Sequence, residues 1–449
     1  MIMLNINIDF NKTVGKIKPM HATNNGPAHK YFPEQRVSNM ESFREAGIPY
    51  ARLHDCIECI TYGGAHCGDI SAMFPDFDKD PYDPDSYDFR ITDEYVKVII
   101  ESGAKPFFGL APTIEHLPKK YEIFPPKDFH KWAVICEHII RHYNEGWNDG
   151  YQFNIEYWEI WNQPDEIESR PQELKVQWLG TKQQFFDFYN EASTHLKGCF
   201  PNLKIGGPSI AWDMKWVRDF LAAVKIKPDF FSYHSYASTP EKIIERIKTI
   251  QNLLDEADCG ETENILDEWN YVRSWFNEDW VYSLRKMKEM KGASFYASTM
   301  CLAQYSSADM LMYYSAAPHI MNGMFRMDIM SDCLKGYYPF KMFNELYKLG
   351  ECIEINENGS PIYSCAAKNG NEAAIMLSNY SENDDASAVE VKINVDNFSS
   401  AEGVNVEYYL LNETHDMKLS RVEKFTGDAY SIILDVPLYS TYLIKFSKP

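Results

Sequence analysis

Two segments of the 449-residue sequence, residues 159–165 and 266–270, combine acidic, amide and aromatic side chains within a few positions. Cleavage of a glycosidic bond requires two carboxyl groups that flank the anomeric carbon, one to protonate the departing oxygen and one to attack the carbon or to activate water. Glu268, in the second segment, is well placed to attack and would form a covalent glycosyl intermediate that water then releases. A second carboxyl group from the first segment would converge on a sugar held between the two.

Eight short apolar runs must position these segments. They alternate with longer helical patterns, which predicts βα units and a parallel sheet. The predicted strands are Lys18–Thr23, Tyr50–Asp55, Lys105–Ala111, Ile155–Trp161, Leu203–Gly207, Phe230–His234, Glu263–Asp267 and Met310–Tyr314. Because eight such strands close a barrel, we expect an α/β fold, a (β/α)8 TIM barrel over residues 13–350, with its site at the C-terminal ends of the strands.

Helices are predicted between the strands, where apolar residues recur at helical spacing. They are Pro33–Ala46, Thr92–Ser102, Pro126–Tyr143, Thr181–Leu196, Pro240–Leu254, Val281–Ala303 and Pro339–Leu349. Beyond about Gly350 the sequence changes to short alternating runs rich in Val, Ile and Tyr, which predicts an accessory antiparallel β-sandwich over residues 351–449. Leu4–Asp9 alternates in the same way, so residues 1–12 are assigned to that sandwich.

Composition narrows the classes of function. With 44 basic and 65 acidic residues the net charge is −21, which disfavours phosphate backbones and anionic lipid, so we expect no nucleic-acid partner and no membrane contact. No run of 18 apolar residues predicts a membrane-spanning helix, and the first residues lack the pattern of a secretory signal. Ten singly spaced cysteines then indicate reduced thiols in a cytoplasmic protein.

One cluster contains residue types that bind metals, namely His54, Cys56, Cys59, His66 and Cys67. Zinc sites use paired ligands at regular short spacing, and no second C-x-x-C pair follows Cys56 and Cys59. We therefore predict scattered structural thiols, with neither a metal nor a cofactor.

The segments Glu159–Asp165 (EIWNQPD) and Leu266–Asn270 (LDEWN) resemble the acid/base and nucleophile motifs of glycoside hydrolase family 39. That family holds β-xylosidases and α-L-iduronidases within a clan of retaining (β/α) barrels. Four further segments match its pattern in order: Arg52–His54, Pro125–Asp128, Gly206–Pro208 and Phe231–Tyr236. Six motifs between Lys18 and Leu349 are far more specific than any one of them, and the tail fits the accessory β-domain of the family.

The resemblance implies Glu268 as nucleophile and position 163 as acid/base. It also implies sugar contacts from Asn162, His54 and His234, contacts of Arg52 and Tyr236 with the Glu268 carboxylate, and apolar ring faces from Trp161, Trp269 and Tyr314, with Asn322 and Arg326 as weaker candidates. Asp165 and Glu166 are expected to begin the next helix, and Asp55 and Asp267 to act as helix-entry or barrel partners.

One residue departs from the family pattern, because Gln163 stands where the family has glutamate. A glutamine neither gives a proton to the leaving group nor deprotonates water, although it can still hydrogen-bond the glycosidic oxygen. We favour an introduced change, because every other motif residue is intact. A natural glutamine would indicate an enzyme for activated leaving groups or a binding relic. Either way, turnover of unactivated glycosides should fall on the order of 100- to 10,000-fold.

The leading hypothesis is an exo-acting retaining glycosidase that removes one sugar, or a short unit, from a glycan end. The alternatives are a carbohydrate-binding pseudoenzyme with natural Gln163 and an α-L-arabinofuranosidase of the same clan. The expected partner is a carbohydrate, and homo-oligomer formation through the tail sheet is left open. The sequence does not fix the sugar, the anomer or the linkage, and Arg273 and Arg326 are the basic groups that a uronic acid would need.

Overall fold

The computed structural model describes all residues except 1–2, 29–37, 54–67, 117, 168, 318–319, 327, 330 and 357. Strands β1 (Leu4–Asp9) and β2 (Thr13–Lys16) are followed by a closed parallel barrel. Its strands are β3 (Ala22–Asn24), β4 (Tyr50–Leu53), β5 (Lys105–Leu110), β6 (Tyr157–Ile160), β7 (Lys204–Ile210), β8 (Phe230–Ala237), β9 (Glu263–Tyr271) and β10 (Met310–Tyr313). Each predicted strand overlaps one of these, and the predicted barrel is confirmed.

The interior of the barrel changes character along its axis. Near the N-terminal ends of the strands one apolar cluster fills it, formed by Ala22, Tyr50, Phe107, Tyr157, Phe230, Ile265, Met310 and Met312. Such a layer of side chains makes the barrel a packed core rather than a pore. Toward the C-terminal ends the buried side chains are polar and charged, including Arg52, Glu159, Asp267 and Glu268. The barrel therefore concentrates charge at the end where its loops can enclose a ligand.

Ten helices are present in the described part of the chain. They are α1 (Met40–Ala46), α2 (Ile70–Met73), α3 (Arg90–Glu101), α4 (Phe129–Asn144), α5 (Lys182–Cys199), α6 (Met214–Ala223), α7 (Pro240–Glu256), α8 (Asn277–Lys286), α9 (Met290–Ala303) and α10 (Tyr338–Leu349). Short 3-10 turns cover Pro84–Ser86, Gln172–Leu174 and Lys335–Tyr337. Within the described residues, no helix combines the length and the apolar character that crossing a bilayer requires.

Two helix predictions need correction. The single helix predicted over residues 281–303 is two helices: α9 is buried on almost every side, whereas the one buried residue of α8 is Ser283. Helix α6 was not predicted, although Asp213 caps it by accepting from the backbone of Lys215 and Trp216. The other sign of α6 was an apolar face that includes Trp216 and Phe220.

The C-terminal region forms the predicted sandwich. Its strands are β11 (Glu351–Ile353), β12 (Ile362–Lys368), β13 (Glu372–Asn379), β14 (Val389–Asp396), β15 (Val404–Leu411), β16 (Lys418–Phe425), β17 (Ala429–Val436) and β18 (Thr441–Ser447). One sheet has the order β16-β15-β18-β13-β12-β11-β2, and the other has the order β1-β14-β17. The β1–β14 pair is parallel and all other pairs in these two sheets are antiparallel. The domain boundary at residue 13 stays a prediction; β2, just after it, pairs with β11.

Strand β13 shows how the larger sheet joins the barrel. Its residues Ala373, Ile375 and Leu377 enter the core between the two sheets. The alternate residues Ala374 and Met376 pack into the barrel's core cluster, where β13 lies against α9 and α10. Because successive side chains of a strand point to opposite faces, a strand buried on both faces needs a continuous apolar run.

Candidate active site

An extra residue in β9 sets the geometry of the site. His234 of β8 pairs with Glu268, whereas the residue before His234 pairs with Leu266, which leaves Asp267 without a register partner. The pairing of β9 with β10 shifts over the same stretch. Such a β-bulge interrupts the alternation of side chains between the two faces of a strand. Asp267 and Glu268 are therefore consecutive in sequence, yet both form ion pairs with Arg52.

Arg52, at the end of β4, is the buried centre of this charge network. Its guanidinium lies 2.7 Å from Glu159, 3.2 Å from Asp267 and 3.0 Å from Glu268. Burial lowers the pKa of the guanidinium, but the three carboxylates outweigh this effect and raise the pKa above its usual range. The planar fork of an arginine suits several carboxylates at once. Arg52 therefore carries a permanent positive charge beneath Glu268.

Glu268 lies in the cleft wall and is almost fully buried. The Tyr236 hydroxyl donates a 2.7 Å hydrogen bond to Oε2, and Arg52 Nη1 donates a 3.0 Å hydrogen bond to Oε1. Burial raises the pKa of Glu268 above its usual value, while His234, Arg52 and the Tyr236 hydrogen bond act in the opposite direction. Both carboxylate oxygens are thus held in fixed directions, as a nucleophile requires.

His234 links Glu268 to Gln163. The Gln163 amide nitrogen lies 2.8 Å from Nδ1 of His234, and the same Nδ1 lies 3.4 Å from Glu268 Oε2. Nε2 in turn lies 2.7 Å from the Ser209 hydroxyl. The imidazole is therefore oriented by partners on both sides.

Left-handed backbone is concentrated at this site. Trp161, Gln163 and Ser209 have φ angles of 73°, 49° and 60°. For residues other than glycine this conformation costs about 1–3 kcal/mol each and persists only where the surroundings enforce it. The backbone N–H of Gln163 donates to the backbone carbonyl of Ser209 at 2.9 Å, and the backbone N–H of Trp161 donates to the backbone carbonyl of Leu110 at 3.1 Å. The loop that carries residue 163 is thus fixed to β5 and β7.

Three residues that sequence reasoning gave no role complete the network. Ser209 Oγ lies 2.5 Å from Asp267 Oδ2 and 2.9 Å from Asn162 Oδ1. Asn24 donates to the main-chain carbonyl of Asp267 at 2.5 Å. Burial raises the pKa of Glu159 to about 7, although Arg52 opposes this. Two of the three were close to quoted motifs, since Glu159 opens one and Ser209 directly follows Gly206–Pro208.

Asp165 and Glu166 do not begin a helix, contrary to expectation. Asp165 accepts hydrogen bonds from the backbone of residues 211, 212 and 213, and Glu166 accepts from the backbone of Val176 and Gln177. Both carboxylates therefore fix loops to one another at the mouth of the barrel. The next α-helix begins at Lys182.

The predicted residues fall into groups by location. A cleft of about 1340 Å³ opens at the C-terminal ends of the barrel strands, and Gln163, His234, Tyr236, Glu268 and Tyr314 line it. Arg52 and Asn162 are buried beside these residues, and Arg52 Nη2 donates to Asn162 Oδ1 at 2.9 Å. The structure therefore brings seven of the predicted residues together.

Two predicted tryptophans lie elsewhere. Trp269 is fully buried and packs against Phe295 and Tyr296 of α9, so it belongs to the core behind the site rather than to the cleft wall. The bulge explains this position, because the strand returns to normal alternation after Glu268. Trp161 is also buried, with its indole nitrogen donating to the Gln177 carbonyl at 3.0 Å.

The weaker candidates have structural partners. Asn322 is buried and accepts from the backbone of Met324 and Phe325, which shapes its loop. Arg326 is exposed and forms ion pairs with Asp328 and Asp332. His54 lies outside the described residues, as do Cys56, Cys59, His66 and Cys67.

One group of potential metal ligands lies within the described residues, on α4 and α5 and outside the cleft lining. Ligand atoms of Glu137, His195 and Cys199 lie within 4.8 Å of one another. Glu137 is already paired with Arg141 at 2.8 Å and with His195 at 2.7 Å. Burial raises the pKa of the Cys199 thiol, which disfavours the thiolate that a metal would need.

A buried carboxylate held by arginine and tyrosine at the mouth of an eight-stranded barrel is an arrangement that suits a glycoside hydrolase. The chain belongs to a particular family of that class, since the family described as Glycosyl hydrolases family 39 matches residues 4–323.

Known proteins of three activities are similar to the chain. A beta-xylosidase of Caldicellulosiruptor saccharolyticus is 25% identical over 415 residues, which are 84% of this chain and 79% of the relative. Two solved structures share the fold. A glucosidase from Croceicoccus marinus has a TM-score of 0.79 at 20% identity, with all of both chains covered. A GH51 alpha-L-arabinofuranosidase from Thermotoga petrophila has a TM-score of 0.69 at 16% identity, covering 98% of this chain and 99% of the other.

Proposed function

We propose that the chain is an exo-acting retaining glycosidase with Glu268 as nucleophile and residue 163 at the acid/base position. The observation that carries this proposal is the meeting of Gln163 and Glu268 at one imidazole nitrogen, at 2.8 Å and 3.4 Å. The sum of these distances is the largest possible separation of Gln163 Nε2 from Glu268 Oε2. It is smaller than the roughly 6.5–9.5 Å between the carboxyl groups of inverting enzymes, which must admit a water molecule.

The reaction takes place in two displacements. A Glu268 carboxylate oxygen forms a bond to the anomeric carbon while the bond to the leaving oxygen breaks. Water then attacks the anomeric carbon from the vacated side and the glycosyl ester breaks. A glutamate at 163 would protonate the leaving oxygen and later deprotonate the water, and Gln163 does neither. The protein with Gln163 should therefore form the intermediate only from activated glycosides, and it should hydrolyse that intermediate slowly.

A terminal β-xyloside is the proposed substrate, because the Caldicellulosiruptor relative is a beta-xylosidase and its similarity to the chain extends over most of both proteins. The α-L-arabinofuranoside is the second candidate, supported by the fold shared with the Thermotoga petrophila enzyme. A panel of 4-nitrophenyl glycosides that contains both sugars decides between them by kcat/KM.

Azide tests the mechanism. Azide is a nucleophile that needs no general base, so it should attack the covalent intermediate of the Gln163 protein and accelerate turnover of 4-nitrophenyl β-xyloside. Two successive inversions at the anomeric carbon give a xylosyl azide of retained β-configuration, which proton NMR identifies. In the Glu268→Ala protein no covalent intermediate forms, so the β-azide must disappear.

The Gln163→Glu protein distinguishes an enzyme from a binding protein. It should hydrolyse 4-nitrophenyl β-xyloside without azide at least roughly 100-fold faster than the chain as written. If Gln163→Glu stays inactive on the whole panel and azide gives no product, the carbohydrate-binding alternative replaces the proposal.

A further inference from the structure

A wall of aromatic side chains extends outward from the nucleophile. It begins at Tyr236, whose hydroxyl donates to Glu268, and continues through Trp275 and Trp280. The ring centroids of Tyr236 and Trp275 are 5.0 Å apart, as are those of Trp275 and Trp280. Phe276, beside Trp275, lines the same cleft. Tyr236, Trp275, Phe276 and Trp280 are called the aromatic wall below.

The outer part of the wall is exposed to solvent. Trp275 is 47% exposed and Phe276 is 73% exposed, and Ile320, on the same cleft, is 48% exposed. Large apolar side chains grouped in this way on a soluble protein mark a binding surface. The cleft volume of about 1340 Å³ is above the 300–1000 Å³ that is typical of pockets for small ligands. The space is therefore larger than one sugar ring needs.

Polar side chains, including Ser238, Lys242 and Thr249, line other parts of the cleft, but few belong to the segment that carries Trp275 and Phe276. Arg273 also lines the cleft, but its Nε donates to Glu382 at 2.6 Å and its guanidinium stacks on Tyr282 at 3.7 Å. A surface that binds a sugar chain combines aromatic faces with polar groups for the hydroxyls. The cleft residues between 272 and 276 offer mainly apolar faces, on which an aromatic leaving group can pack.

The missing acid at position 163 also favours a substrate with an aromatic leaving group. Without a proton from residue 163 the leaving oxygen must depart as an anion. Among the described residues that line the cleft, the carboxylates are Glu245 and Glu268, and Glu245 is exposed on α7. An alkoxide or a sugar hydroxyl is a poor leaving anion, whereas a phenolate spreads its charge over an aromatic ring.

From these two observations we propose that the chain as written acts on glycosides of phenols, with the phenol ring packed on the aromatic wall. This inference rests on the proposed function of Glu268. In the first step the Glu268 oxygen bonds to the anomeric carbon, and the electron pair of the broken bond leaves with the phenolate, which takes its proton from water. In the second step water attacks the anomeric carbon and gives its proton to solvent, and Glu268 is regenerated.

The test compares two substrates that both need no acid. 4-Methylumbelliferyl β-xyloside carries an aromatic leaving group, whereas β-xylosyl fluoride reacts at Glu268 with a leaving group too small to reach the wall. Phe276→Ala should lower kcat/KM for the umbelliferyl glycoside roughly tenfold and leave the fluoride unchanged. Trp275→Ala should lower kcat/KM for the umbelliferyl glycoside more than for the fluoride, because Trp275 also packs on Tyr236. Both residues are exposed, so their removal leaves the core intact. Tyr82→Ala, exposed at 63% and outside the cleft, is the matched control.

Each outcome has a definite reading. If both substrates react but the wall variants affect them equally, or if xylobiose reacts faster than the umbelliferyl glycoside, the inference is wrong and the wall serves another purpose. If Glu245→Gln alone removes activity on xylobiose, a different acid replaces residue 163, and the inference is again wrong. If the fluoride does not react at all and azide gives no product, the proposed function itself has failed.

Discussion

At the scale of single residues, the Glu268 carboxylate is subject to opposing effects. Burial raises its pKa, while His234, Arg52 and the Tyr236 hydrogen bond lower it. The net direction is upward, so Glu268 takes up its proton at a higher pH than an ordinary glutamate does. If Glu268 is the nucleophile, as proposed, only its ionised carboxylate attacks, and this balance sets the acid side of the pH–activity profile.

The first prediction concerns this profile. For 4-nitrophenyl β-xyloside, kcat/KM of the chain as written should decrease as pH falls through the raised pKa of Glu268, with no alkaline decrease from residue 163. The Gln163→Glu protein should add an alkaline limb, because a glutamate acid there loses its proton as pH rises. Identical profiles for the two proteins would contradict the assignment of residue 163.

The second prediction concerns Tyr236. Its hydroxyl stabilises the ionised form of Glu268, so Tyr236→Phe should raise the pKa of Glu268 further. The acid limb of kcat/KM then moves to higher pH, and the maximal rate falls roughly tenfold with the loss of one oriented hydrogen bond. Tyr409→Phe, on the accessory domain, is a control that should leave the limb in place. An unchanged acid limb in Tyr236→Phe would show that the hydroxyl does not affect the pKa of Glu268.

At the scale of elements, the bulge in β9 separates what sequence could predict from what it could not. The strands were readable because runs such as Lys105–Leu110 are apolar and bounded by turns. The contact of Arg52 with Glu268 was expected from the family resemblance, but the pairing of Asp267 with the same arginine was not readable, because a single extra residue in a strand depends on the register of both neighbours. For the same reason Trp269 was assigned to the cleft and lies in the core.

The third prediction tests the network that spans β4, β6 and β9. Arg52→Lys keeps the charge but replaces a planar fork with one ammonium group, leaving buried carboxylates without partners. We expect a loss of about 3–5 kcal/mol in the free energy of unfolding, measured with denaturant. The control Arg90→Lys alters an exposed pair with Asp88 and should leave the free energy of unfolding nearly unchanged. Equal effects of the two substitutions would rule out a special role of the buried network.

At the scale of the whole molecule, a loop of the accessory domain contacts a residue of the cleft lining. Glu382, in the loop after β13, accepts from Arg273 at 2.6 Å, next to the aromatic wall. The same loop holds the buried ammonium of Lys291 on α9, which lies 3.0 Å from Asp384. The sequence predicted the sandwich from its alternating strands but could not predict this contact, because each charge looks like an ordinary surface residue when read alone.

The fourth prediction concerns the N-terminal strand as part of that domain. Ile8 of β1 is buried between the sheets, and Asn7 beside it is exposed. Ile8→Ala should therefore lower the free energy of unfolding of the accessory domain by about 2–5 kcal/mol. Asn7→Ala should have little effect in the same denaturant titration. If Ile8→Ala is as stable as Asn7→Ala, β1 is not an integral part of the sandwich.

The pairing of β1 with β14 and of β2 with β11 has a consequence for how the chain is made. Strand β1 emerges from the ribosome before the barrel, yet its partner β14 emerges only after the entire barrel. At about 5–20 residues per second, this strand waits roughly 20–80 s with its backbone groups open to other chains. The alternation of Asn and Ile in LNINID gives β1 one polar face, which lowers its tendency to aggregate with other nascent chains before β14 is made.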